Sequence, residues 1–379
     1  MSMSSRFTIT LFIPDLEMGG AERVFVTLAR QFLQRGHGVR LILARGTGPL
    51  LTELDPRVDV IDLAAGPPSP AWRFGLRTLW CLARELRRRP PEVMLSTLTG
   101  ANLVAIAARI LCQQSFPLVV REAVTLPHGS IGGRGLAMRL LYSRADRVVA
   151  LTEPMAAQLE RRAGLDPARI AVIPNPVDHE RVDSLSMFED DKAEIRAWRP
   201  YLLAVGRLAP QKGHADLIRA LATLPDPPRC VILGEGPERE RLERLVRHSG
   251  LEERVHMPGV RDNPYPWYRN AMGFVLPSHW EGYPNTLLEA MHFGLPIVAT
   301  RYDDSVDAIR MSYDLNQFHL VACGEIHSLA MAIDELSMPR ADAKRCPADA
   351  CERVSDAANL LLKVLETAVK QAATDRVHG

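Results

Sequence analysis

Tyr201-Leu202-Leu203-Ala204-Val205 runs straight into Gly206-Arg207-Leu208-Ala209-Pro210-Gln211-Lys212-Gly213, and a helical pattern, His214–Leu224, follows. An uninterrupted apolar run of this length reads as a strand buried on both faces, as in parallel sheets. A glycine-bearing turn then hands the chain to a helix, and such a junction exposes amides suited to an anion. The same loop carries Arg207 and Lys212, five residues apart, with no acidic residue between them. A guanidinium that forks onto two oxygens and a compact ammonium together suit a diphosphate. The fold class that follows is α/β with a mostly parallel sheet.

Outward from this unit the pattern repeats. Downstream, strands are expected at Cys230–Leu233, Arg254–Met257, Gly273–Leu276 and Pro296–Thr300, with helices at Glu238–Ser249 and Thr286–Phe293. Upstream, strands are expected at Phe7–Ile13, Val39–Leu43, Val58–Leu63, Val93–Ser96, Leu118–Arg121, Val148–Leu151 and Ile170–Ile173, with helices such as Ala21–Arg35 and Asn102–Leu111. Between the two series, Pro174-Asn175-Pro176 leads into a polar stretch, Asp178–Ala197, that reads as an interdomain connection. The 379 residues accordingly divide into an N-terminal domain over 1–177, a C-terminal domain over 178–349 and a final helical segment over 350–379. That last helix has no strand after it, so it must cap something already built.

Composition narrows the function. With 47% hydrophobic and 24% charged residues the chain is globular, and 46 basic against 45 acidic residues leave no global field to attract nucleic acid. The six cysteines include no Cys-x-x-Cys pair, which argues against a zinc site or a redox pair. The amino terminus lacks the pattern of a secretory signal, and the best apolar stretch, Ala101–Cys112, is too short to span a bilayer, so a cytoplasmic protein is expected. One local exception is 71–89, where six arginines face one glutamate with Trp72 and Trp80 interleaved. A basic amphipathic helix of this kind fits peripheral contact with an anionic leaflet, the inner face of the plasma membrane; an ordinary helix with a solvated arginine face is the alternative.

The segment from Pro277 to Met291, PSHWEGYPNTLLEAM, follows the apolar strand Gly273–Leu276. Pro284 and Asn285 suit a helix start, and Leu287, Leu288 and Met291 suit its buried side, which puts Glu281 in the loop and Glu289 inside the helix. Ionised carboxylates only accept hydrogen bonds, so they match the hydroxyls of sugar rings and repel phosphate. A second glycine turn, Gly19-Gly20, precedes the helix Ala21–Arg35 and offers a further phosphate contact.

These residues bring the chain into line with a known family. Val205-Gly206-Arg207-Leu208 with Gln211-Lys212-Gly213, Gly234-Glu235-Gly236-Pro237, and Glu281-Gly282-Tyr283-Pro284-Asn285 through Glu289-Ala290-Met291 resemble the retaining GT-B glycosyltransferases of family 4. Gly19-Gly20-Ala21-Glu22 and Ile173-Pro174-Asn175-Pro176-Val177-Asp178 add to the likeness, in the expected order. The resemblance implies two facing Rossmann-like domains with an interdomain cleft, an acceptor domain first and a donor domain second. It implies a nucleotide-diphosphate-sugar donor, a UDP-sugar by expectation, and a glycan or lipid-linked glycan acceptor. Arg207 and Lys212 would hold the diphosphate, Glu289 the ribose and Glu281 the transferred sugar. Gly19, Gly20, Gly206, Arg261, Tyr283, Pro284, Asn285 and Thr286 complete the implied donor-binding set, and the final helix would cross back to the first domain.

The chain also departs from that family. Arg121-Glu122 stands where a catalytic histidine is common, which makes Glu122 the first-domain candidate. Asp303-Asp304 replaces a glycine pair, Asp307 takes the following acidic place, and in Met311–Ala330 the usual glycine-rich strand-loop reads as lost. No Asp-x-Asp occurs, so no metal or other cofactor is expected, with Arg207 and Lys212 neutralising the leaving diphosphate instead. A sugar-nucleotide epimerase of the same fold and a non-catalytic glycan-binding subunit stay open as rivals.

Overall fold

The computed structural model describes residues 6–17, 19–68, 70–123, 133–188, 191–311, 317–337 and 354–378. Met18, in the Gly19-Gly20 turn, and Cys346 and Cys351 lie outside the described residues. The chain forms two compact units, Met1–Pro176 together with Val354–Gly379, and Val177–Arg353.

The first unit holds seven strands: β1 (Thr8–Ile13), β2 (Gly38–Leu43), β3 (Asp59–Asp62), β4 (Val93–Thr97), β5 (Leu118–Arg121), β6 (Arg147–Ala150) and β7 (Ile170–Val172). They make one parallel sheet in the order β3-β2-β1-β4-β5-β6-β7. The second unit holds β8 (Leu202–Val205), β9 (Cys230–Leu233), β10 (Val255–Gly259), β11 (Gly273–Leu276), β12 (Ile297–Arg301) and β13 (Phe318–Ala322), parallel in the order β10-β9-β8-β11-β12-β13. Each unit is thus Rossmann-like. In each, the order reverses beside its first strand, and ligands of such sheets bind outside the strand carboxyl ends at that switch point. In the second unit the switch lies between β8 and β11, where Gly273 pairs with Leu202 and Phe274 with Leu203.

Strands β4, β5, β9 and β11 are buried at every position, as helices on both faces require. The terminal helix Val354–His378 buries Ala357, Ala358, Leu361, Leu362, Leu365 and Ala368 in the first unit's core, against the helix Gly20–Gln34. Its apolar stripe at three- and four-residue steps is what a helix needs to seal a sheet.

Two expectations need correction. The stretch Asp178–Ala197 is no plain connection: it contains the helices His179–Ser186 and Lys192–Trp198, and Val182 and Ile195 enter the second unit's core beside Trp267. Such short helices gain their stability from tertiary packing, so their sequence shows little periodicity. Nor is the strand lost in Met311–Ala330. β13 lies there, in register with β12 from Ile297↔Phe318 to Arg301↔Ala322. It is an edge strand with half-buried positions, so it needs no continuous apolar run.

Candidate active site

Because β8 and β11 are neighbours, the loops leaving their carboxyl ends meet, although they lie far apart in sequence. Gly213 closes the first loop in the left-handed region, at φ 63°, and a Cβ there would collide with the Pro277 carbonyl oxygen of the second. Glycine is required at that contact for both reasons. The loops are then joined by hydrogen bonds: the His279 amide donates to the Gln211 carbonyl at 2.8 Å, and Gln211 Nε2 donates to the Trp280 carbonyl at 2.8 Å. His279 Nε2 also lies 2.7 Å from Asp216 Oδ2 on the helix that follows Gly213.

This stitching brings Lys212 and Glu281 into direct contact, with Nζ 2.6 Å from Oε1. Both are largely buried, at 18% and 6% side-chain exposure. Ser278 Oγ donates to the same Oε1 at 2.6 Å, and Thr300 Oγ1 on β12 in turn holds the Ser278 carbonyl. Arg207 is exposed in the first loop, and none of the described acidic residues pairs with it. Glu289 is half-buried on the helix Asn285–His292, whose first turn carries Asn285 and Thr286. Pro284 occupies the position before that helix, and Tyr283 packs against the core.

Sequence reading missed His214 and Tyr302, and named Gly234 and Gly236 only as part of a motif. Gly234 and Gly236, after β9, bring their backbone against the carbonyls of Gly206 and Leu208, where a Cβ would collide, so that motif shapes the loop from beneath. His214 is buried, and burial followed by the Lys212 charge pushes its imidazole down to about 4. The Tyr302 hydroxyl, just after β12, and the Thr286 hydroxyl are buried without a hydrogen-bond partner among the described residues. Burial and then the Glu281 carboxylate drive the Tyr302 phenol well above its ordinary range. A buried tyrosine or histidine leaves no local sequence signal; a glycine pair beneath a phosphate loop does.

Other expected residues are placed differently. The Arg261 guanidinium is taken by Asp191 at 2.8 Å and Glu194 at 2.6 Å and lies over the Trp267 ring, so the loop offers its backbone and the exposed Val260. Glu122 is 1% exposed and accepts hydrogen bonds from Thr99 Oγ1 at 2.7 Å and the Tyr142 hydroxyl at 2.6 Å. Within the first unit it is a buried carboxylate held by these two hydroxyls. At Gly19, any side chain would strike the Glu22 carboxyl, which folds back over the turn. Burial, with the nearby Asp15 and Glu17 carboxylates, holds Glu22 above the ordinary carboxyl range, against its own backbone amide.

Comparison with known proteins identifies the family. Residues 187–352 match the family described as glycosyl transferases group 1, and residues 18–181 match Glycosyltransferase Family 4. The D-inositol 3-phosphate glycosyltransferase of Xylanimonas cellulosilytica is 33% identical over 339 residues, covering 79% of this chain and 79% of that protein. The chain is a group 1 glycosyltransferase. A further relative of this glycosyltransferase is the N-acetylgalactosamine-N,N'-diacetylbacillosaminyl-diphospho-undecaprenol 4-alpha-N-acetylgalactosaminyltransferase of Campylobacter jejuni subsp. jejuni, 28% identical over 76% of this chain and 80% of the other. Among solved structures, Anabaena Alr3699/HepE in complex with UDP-glucose shares the glycosyltransferase's fold with a TM-score of 0.71 at 19% identity, over 99% of this chain and 100% of that one. The enzyme's fold class is therefore α/β, two Rossmann-like domains of the GT-B type.

Proposed function

We propose that this glycosyltransferase moves a hexose or N-acetylhexosamine, with retention at the anomeric carbon, from a UDP-sugar to a glycan or lipid-linked glycan. The observation that carries the reading is the junction of the β8 and β11 loops, which sets the part-buried Lys212 against Glu281, with the exposed Arg207 in the same loop as the lysine and Glu289 on the next helix. Arg207 and Lys212 take the diphosphate. Glu289 accepts from the ribose hydroxyls and Glu281 from those of the transferred sugar. Gly206 and the helix start at Pro284, Asn285 and Thr286 supply backbone and hydroxyl contacts, and the backbone around Arg261 meets the base. Gly19 and Gly20, at the start of the first unit's helix Gly20–Gln34, add backbone amides for the phosphates.

In the reaction the bond from the anomeric carbon to the diphosphate oxygen breaks, and the acceptor hydroxyl bonds to that carbon on the same face. Its proton passes to the departing phosphate. Charge builds on the leaving group, so fixed cations lower the barrier. The donor site needs no metal in this scheme, and activity should persist in EDTA.

The helix Ala71–Arg88 supports a membrane-side acceptor. It buries Leu82 and Leu86 but exposes Trp72 (63%), Leu76 and Trp80 (62%) beside Arg73, Arg77, Arg84 and Arg88. That face suits the headgroup layer of an anionic leaflet. No described helix is long and apolar enough to cross a membrane.

The test begins with a thermal-shift screen of sugar nucleotides, followed by transfer or hydrolysis assays of the best ligand. Lys212→Ala and Glu289→Ala should each cost roughly a hundredfold or more in rate. Near wild-type rates in both would refute the assignment.

A further inference from the structure

Lys212 and Glu281 are assigned to different parts of the donor, yet in the structure they hold each other. Glu281 Oε1 receives two donors, Lys212 Nζ and Ser278 Oγ, each at 2.6 Å. These two partners differ in kind. The lysine is a mobile point charge on a flexible stem, drawn to any stronger anion. Ser278 is fully buried, its backbone carbonyl is held by Thr300 from the adjacent strand, and its hydroxyl has no reason to follow a phosphate.

A diphosphate entering beside this pair brings more negative charge than one carboxylate. From that asymmetry, and resting on the donor-site reading above, we infer that Lys212 changes partner from Glu281 to the diphosphate, and that Ser278 is the positioning residue that keeps Glu281 in place through the exchange. The carboxylate capacity released by the lysine then goes to a hydroxyl of the transferred sugar. Two consequences follow. The Lys212–Glu281 pair lowers nucleotide affinity, because only the fraction of molecules with the lysine released is competent to bind. Ser278 raises that fraction by sharing Glu281.

The experiment is calorimetric titration of UDP, GDP and ADP into the wild type and into Lys212→Met, Glu281→Gln, Ser278→Ala, Ser278→Thr and the double variant Glu281→Gln/Ser278→Ala, with melting curves to confirm folding. Whichever diphosphate binds the wild type should bind Lys212→Met at least tenfold more weakly. It should bind Glu281→Gln about three- to tenfold more tightly, although sugar transfer by that variant falls. Ser278→Ala should weaken binding severalfold in the wild-type background and have no effect in the Glu281→Gln background, while Ser278→Thr restores it. A purely structural role for Ser278 would weaken both backgrounds alike. If Glu281→Gln leaves affinity unchanged or reduces it, or if Ser278→Ala acts equally in both backgrounds, the exchange is overturned and the donor site stands. If none of the three diphosphates binds the wild type, the donor-site reading itself fails and the exchange falls with it.

Discussion

Gly213→Ala offers a sharp test of how the two loops are joined. Gly213 sits at φ 63°, ψ 17°, and a Cβ there would run into the Pro277 carbonyl oxygen. Holding alanine in the left-handed region costs about 1–2 kcal/mol. Relieving the collision parts the loops and loses the His279–Gln211 and Gln211–Trp280 hydrogen bonds, at about 1 kcal/mol each. The reduced freedom of the unfolded chain returns about 0.5 kcal/mol. The net cost is about 3 kcal/mol, which should lower the second unit's melting transition by roughly 6–12 °C, at about 2–4 °C per kcal/mol for a unit of that size. Function should suffer more, since a shift of about 1 Å in positioned groups costs on the order of a hundredfold in rate. Scanning calorimetry reads the first effect, and a transfer assay with the sugar nucleotide found by thermal shift reads the second. Gly213→Asn separates the causes: asparagine tolerates the left-handed region but carries the same Cβ, so it should fare nearly as badly. A Gly213→Ala protein that melts within about 1 °C of wild type and transfers sugar at the wild-type rate would refute the reasoning.

Leu365 is fully buried on the terminal helix, so Leu365→Ala should cost about 2–5 kcal/mol and lower the first unit's transition, as read by urea unfolding; an unchanged midpoint would mean the helix does not seal that core. His214 stays neutral in the fold down to about 4, while the unfolded histidine takes a proton near 6.5. Stability should therefore be lost as pH falls from 6.5 toward 4, by about 3 kcal/mol in total, and His214→Leu should remove that part of the slope; identical slopes would count against it. Trp72→Ser with Trp80→Ser should leave stability within about 0.5 kcal/mol yet abolish sedimentation with anionic vesicles, and a wild type that binds no vesicles would end the membrane proposal.

The legible parts of this protein share a physical cause. Leu202–Val205, Cys230–Leu233 and Gly273–Leu276 are buried from both sides, so burial demanded continuous apolar runs that stand out as text. Phe318–Ala322 borders one neighbour only, and the helices His179–Ser186 and Lys192–Trp198 lean on aromatic residues far along the chain, so neither pattern was forced onto local sequence. Arg207, Lys212, Glu281 and Glu289 could be picked out because they lie in loops that follow readable strands or on the helix such a loop opens. Glu122 could not be judged that way, since its Thr99 and Tyr142 partners lie on other elements.

The amino-acid sequence alone determined which segments become strands, which turns expose amides, and which charged residues stand in those turns, because those properties depend on neighbours within a few positions. Only the tertiary structure decided that Lys212 meets Glu281 and Ser278. That contact exists because the chain, after laying β9 and β10 on one side of β8, crosses back to place β11 on the other. No residue near Lys212 records that crossing; the cooperative burial of the whole sheet enforces it.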